Sequence, residues 1–197
     1  MNELLRQSRP STQAAEGVPR WRWTTAELQR LVELGAIDPD ERFELFGGEI
    51  VPTSPKGRRH EVVADELARY WAPRLPADIW VSVERQLNLD EATYTDPDLI
   101  VRPAHIKTYD LRGPDALLVV EVAASSWEKD IGLKARTYAA FGVREYWVID
   151  AASHATRVHR SPTAEGYAAV SNHAADAVLT PTLAPGLAVR LPDLDLA

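Results

Sequence analysis

Apolar residues recur along this chain with two different periods, and the alternation between them predicts its elements. Leu28, Leu31, Val32 and Leu34 follow a helical spacing. With Thr24 or Thr25 as N-cap, Glu27 in the first turn and Gly35 as the stop, they predict a short amphipathic helix. Phe43 to Val51 reads as two short strands around a Gly47-Gly48 turn. Val63, Leu67, Tyr70 and Trp71 return to helical spacing, so a second helix runs from His60 to about Leu75 and ends before Pro76. Ile79 to Leu89 suggests one extended, bent strand. Pro97 has no N–H for a ladder and belongs at the mouth of the next strand, which sets Asp98 at the start of a run to Val101. Asp115 to Ala123 is a strand whose residues after Asp115 are apolar except at one position, the pattern of burial on both faces. A helix capped by Ser125 or Ser126 runs from near Glu128 to Phe141-Gly142, and Arg144 to Asp150 is a further strand. Thr156–His159, Tyr167–Val170 and Ala177–Leu179 predict short antiparallel strands, with Leu187–Val189 adding one more from a Pro-rich tail. The order implies an α/β class: a mixed sheet flanked by helices, extra antiparallel strands at the C-terminus, and a parallel crossover joining 115–123 to 144–150. Residues 1–20 lack a sustained period and read as a flexible leader, leaving 21–197 as a single domain.

Three charges break this pattern. Glu121 is the one charge inside Leu117–Val122. An unpaired buried carboxylate costs several kcal/mol, so it needs a cation or a proton. Lys134 interrupts the stripe formed by Ile131, Tyr138 and Phe141, and a buried ammonium needs carboxylates. Positions 117, 119, 121 and 123 share one strand face, which sets Glu121 near the C-terminal end. If the strand bearing Asp98 pairs beside it, two carboxylates converge with a lysine from the following helix. Such oxygens, with Glu44 or a backbone carbonyl adding more, suit a hard cation, Mg²⁺ or Mn²⁺.

Composition narrows the classes. The 197 residues contain no cysteine, which excludes disulfides, thiolate metal sites and cysteine nucleophiles. No apolar run has the length of a signal peptide or membrane span, so a cytoplasmic protein with no membrane partner is expected. The net charge of −7 is the wrong sign for broad phosphate binding, and Lys56-Gly57-Arg58-Arg59-His60 is the compact basic cluster, by default a solvated loop and alternatively a phosphate-contacting one. His60 does not begin a zinc-protease helix, because Ala64 stands where a second histidine is required. His154 and His159 read as surface histidines, and Trp71, Trp80 and Trp147 as core. Neither a Gly-rich phosphate loop nor a serine nucleophile elbow is present.

Asp96-Pro97-Asp98, Val119-Val120-Glu121-Val122, Asp130 four residues before Lys134, and Gly142 to Asp150 together resemble the Uma-two family of restriction-endonuclease-like proteins. Upstream, Phe43 to Ile50 and the Ser54-Pro55 to His60 loop resemble that family's N-terminal signature. The likeness covers roughly residues 22 to 192. It implies a PD-(D/E)XK nuclease fold and metal-dependent cleavage of DNA phosphodiesters. Asp98 would be the first acid, Glu121 the second, and both would hold Mg²⁺ or Mn²⁺. The usual third motif puts lysine at position 123, where this chain has Ala123; in similar sequences the lysine has moved to the following helix, which makes it Lys134. His60 and Glu44 match further characteristic positions, with Tyr138 close behind Lys134. A homodimer would be usual for this fold. A silent nuclease-like scaffold and a small-nucleotide phosphohydrolase are the other readings.

Overall fold

The structure is a computed structural model describing residues 11–13, 17–53 and 55–196. Residues 1–10 and 14–16, most of the expected leader, lie outside the described residues. The chain folds as two units, one reaching to Thr53 and including Leu89–Thr95, the other Ser54–Asn88 and Asp96–Ala197.

In the first unit, β1 (Ser11–Gln13) pairs antiparallel with β2 (Pro19–Trp21). Helix α1 (Thr25–Glu33) starts in a capping box, with Thr24 accepting from the Glu27 N–H and Glu27 reaching back to the Thr24 N–H. Strands β3 (Phe43–Phe46) and β4 (Glu49–Pro52) form the expected hairpin. Gly47 and Gly48 both have positive φ, 58° and 90°, and a Cβ on Gly48 would stand 2.0 Å from Arg22 Cγ, so only glycine fits. With β6 (Leu87–Asp90) and β7 (Thr93–Thr95) the order of this sheet is β4-β3-β7-β6.

The second unit carries a six-stranded sheet, ordered β12-β11-β10-β9-β8-β5. Its strands are β5 (Ile79–Val83), β8 (Leu99–Pro103), β9 (Leu118–Ala123), β10 (Glu145–Asp150), β11 (Thr156–Thr163) and β12 (Gly166–His173). β9 and β10 are parallel, as the crossover pattern requires, and the other pairs are antiparallel. Even-numbered Leu118, Val120 and Val122 share a core with Val63, Leu67 and Trp71 of α2 (Arg58–Trp71) and with Leu187, Val189 and Leu191 of the tail. Trp71 fastens the tail by donating to the Leu187 carbonyl at 2.8 Å. Odd-numbered Val119 and Glu121 point to the opposite side of the strand.

Several expectations need correcting. The bent strand over 79–89 is two strands in two sheets, parted where Glu84 takes a left-handed φ of 49°. The C-terminal strands are one long β11–β12 hairpin, and residues 177–179 add only the isolated Leu179–Val189 bridge. Trp80 is 55% exposed because β5 is an edge strand, whereas Trp71 and Trp147 are buried. The third helix is composite: α3 (Trp127–Lys129), a π-helical turn Asp130–Lys134, then α4 (Ala135–Ala140).

Candidate active site

The position of Asp98 follows from its neighbours. β8 and β9 pair with Leu99 opposite Val120 and Ile100 opposite Val119. One step outward, Asp98 stands opposite Glu121, and cross-strand neighbours project to the same face. Asp98 Oδ2 accepts the Val122 N–H at 2.7 Å. Its Oδ1 accepts from Lys56 Nζ at 2.8 Å and lies 2.9 Å from His60 Nε2, at the first turn of α2. The residue is 2% exposed. Burial pushes its carboxyl upward, but His60 and Lys56 together outweigh that and hold it below the ordinary carboxylate value. The other ring nitrogen of His60, Nδ1, is buried with no hydrogen-bond partner among the described residues.

Glu121 is satisfied from the helix that follows its strand. Lys134 Nζ donates to Glu121 Oε1 at 2.8 Å and Tyr138 donates its hydroxyl to the same oxygen at 2.9 Å. Glu121 and Lys134 are each 4% exposed. The π-helical turn makes this reach: the Ala135 N–H bonds to the Asp130 carbonyl five residues back, and both Asp130 and Lys134 are buried. Widened turns of this kind are frequent at functional sites. Lys134 Nζ is 3.9 Å from Asp130 Oδ1, Ser126 donates to Asp130 Oδ2 at 2.6 Å, and Tyr146 donates to the Asp130 carbonyl at 3.1 Å. Burial pushes the Asp130 carboxyl up, aided by the charge on Asp98 and opposed by Lys134 and Ser126.

Asp98 with His60 and Lys56, and Glu121 with Lys134 and Tyr138, thus form two bonded groups on neighbouring strands whose ladder register sets the two acids opposite each other. Glu44 lies in β3 of the first unit, opposite Val51 and completely buried rather than solvent-facing. Three contributors escape a reading of the sequence. Lys56 stands out there only as part of a basic loop, Asp130 only through its spacing of four from Lys134, and Glu84, which accepts from Lys56 at 2.8 Å, gives no signal. His159 is corrected as well: it is 3% exposed and stacks on Tyr146 with ring centroids 5.3 Å apart. Among the described residues no group of three or more His, Asp or Glu side chains is arranged to hold a metal ion.

A family model described as "Uma2: Putative restriction endonuclease" matches residues 25–196. The chain belongs to the Uma2 family. A solved structure from Anabaena variabilis, described as a putative nuclease belonging to DUF820, superposes with a TM-score of 0.70 over 87% of this chain and 96% of that one. At 15% identity this likeness speaks for the fold: the Uma2 chain has the restriction-endonuclease-like mixed α/β architecture. None of the curated proteins compared matches it. In the Uma2 chain position 123 is Ala123, and Lys134, from the helical segment after β9, donates to Glu121. No helix among the described residues is long and apolar enough to cross a membrane.

Proposed function

We propose that this protein is a metal-dependent nuclease that hydrolyses DNA phosphodiester bonds. Asp98 and Glu121 hold the Mg²⁺ or Mn²⁺ ion, Lys134 acts at the phosphoryl group, and His60 positions Asp98. The observation that carries this reading is the 2.8 Å contact between Lys134 and Glu121, with Asp98 one ladder step away on the neighbouring strand.

The donor set fits such an ion. Mg²⁺ is commonly held by one or two carboxylates, with water and substrate phosphate completing its shell. Asp98 and Glu121 are the carboxylates assigned to the ion, while Glu84 and Asp130 lie against the neighbouring ammonium groups of Lys56 and Lys134. Asp130 Oδ1 has no hydrogen-bond partner among the described residues. When bound, Mg²⁺ supplies Lewis acidity and offsets the charge growing on the phosphoryl group.

The side chains divide the remaining work. Lys134, held against Glu121, presents a fixed positive charge to the attacking water and to the developing phosphoryl charge, without reorganising during the reaction. Tyr138 fixes the Glu121 carboxylate, and His60 with the Val122 N–H fixes Asp98. A cleft of about 390 Å³ lined by Arg58, Arg59, Val62, Val63, Ala151 and His154 offers the flanking strand a basic path. Two of its lining residues, Arg58 and Arg59, open α2, so an acidic protein still presents local positive charge. Glu44, in the other unit, is left outside the assignment.

Plasmid nicking in Mg²⁺ tests the reading. Glu121→Gln and Lys134→Ala should each lower it at least about a hundredfold while the circular dichroism spectrum is unchanged. Wild-type nicking by either variant removes the assignment. Hydrolysis of a mononucleotide phosphodiester without plasmid nicking would favour the small-nucleotide reading, and failure to bind any ion the silent scaffold.

A further inference from the structure

Lys56 has no part in the mechanism above, yet it touches the carboxylate that the mechanism needs first. Its ammonium group donates to Asp98 Oδ1 and to Glu84 Oε1, both at 2.8 Å, and its side chain is 19% exposed. The arrangement is built rather than incidental. Glu84 sits in the left-handed region at φ 49°, a conformation that disfavours any side chain other than glycine's hydrogen. That turn lets its N–H donate to the Asp98 carbonyl at 2.9 Å while its carboxylate meets Lys56. Burial alone would lower the pKa of Lys56, but Asp98 and Glu84 reverse the sign and raise it, so the ammonium stays charged.

Asp98 Oδ2 is taken by the Val122 N–H and Oδ1 is shared by Lys56 and His60, so a cation that reaches this carboxylate at Oδ1 meets both. Lys56 already puts one positive charge there. A divalent ion bound at the same oxygen would stand within a few Å of the ammonium, and in so dry a site that repulsion is strong. Glu84 offers the lysine another partner: its side chain is 42% exposed and holds Lys56 without Asp98.

We propose that Lys56 is a tethered counter-cation that occupies Asp98 in the absence of metal and must withdraw toward Glu84 before a divalent ion can bind. The loop lysine is then a determinant of metal affinity, a role separate from contacting phosphate. This inference rests on the reading of Asp98 and Glu121 as the holders of the ion.

Titration calorimetry with Mn²⁺ alone, on the full chain without nucleic acid, separates the two. Lys56→Met should bind Mn²⁺ about tenfold more tightly than the wild type, Lys56→Arg should bind like the wild type because the charge is kept, and Asp98→Asn should lose binding. Lys56→Gln, which keeps a polar group on the loop, should tighten binding in the same direction, and thermal melts identify any variant that is not folded. Equal or weaker binding by both neutral variants, with binding still lost in Asp98→Asn, overturns the role of Lys56 and leaves the metal reading standing. No binding by any of the proteins overturns both.

Discussion

Two glutamates, Glu121 on β9 and Glu145 on β10, are buried on neighbouring parallel strands, each against a cation, and the difference between them separates a site from a strut. Glu145 Oε1 accepts from Trp147 Nε1 at 2.7 Å and from Arg160 at 2.6 Å, and its Oε2 accepts the Thr182 N–H at 2.8 Å. These donors come from its own strand, from β11 and from the C-terminal tail, so Glu145 ties three pieces of chain together. The Glu121 partners Lys134 and Tyr138 both come from one helical segment, and the neighbour across the ladder is another acid. Their ends of the sheet differ too. Glu145 opens β10, and Glu121 lies two residues from the C-terminal end of β9, the end of parallel strands where ligands bind in open α/β sheets. Burial and a salt bridge are therefore common to both acids. The acid across the ladder is what sets Glu121 apart, and it is the basis of the catalytic role proposed for it.

The largest expected effect that sharpens this contrast is on stability. Glu145→Ala leaves Arg160, Trp147 and the Thr182 N–H without their acceptor and should cost about 3 kcal/mol in urea unfolding, with nicking retained wherever the protein is folded. Glu121→Gln should do the reverse. If Glu145→Ala abolished nicking in a fully folded protein, the division between the two acids would collapse.

A smaller effect follows from His159 of β11, whose ring stacks on Tyr146 of β10 and meets Tyr167 of β12. Burial lowers its pKa to about 4 from an ordinary 6.5. Between those values the unfolded chain binds a proton that the folded chain refuses, so stability falls as pH drops below 6.5 and levels off near 4. The slope is at most about 1.4 kcal/mol per pH unit. His159→Phe should flatten that part of the profile, and an unchanged profile would show that His159 does not control it. Smallest of all, Tyr138→Phe removes one of the two donors to Glu121 Oε1. It should cost about 1 kcal/mol, or roughly fivefold in nicking rate, with the pH profile of stability unaltered. A loss as large as that of Lys134→Ala would make Tyr138 more than a support.

Glu121 can be found from the sequence because it is the sole charge within an apolar run, and Lys134 because it breaks an apolar helical stripe. Glu145 has equal burial and escapes notice, since it opens its strand beside Arg144, where charge normally meets water. Likewise His159 reads as a surface residue: its burial comes from Tyr146 and Tyr167, which approach from other strands. The bent strand fails at Glu84 because a left-handed glutamate has no signature in residue type.

What the sequence determined by itself is periodic: which segments are helix or strand, which face each buries, and which charges fall on the wrong face. Those properties depend on neighbours within a turn or two of chain. Tertiary structure alone decided the pairing of charges, setting Lys56 on Asp98 across 42 residues and Arg160 on Glu145 across 15. Ion pairs need separations near 3 Å, and strand register, a π-helical turn and a left-handed residue fix distances that fine only once the chain has folded.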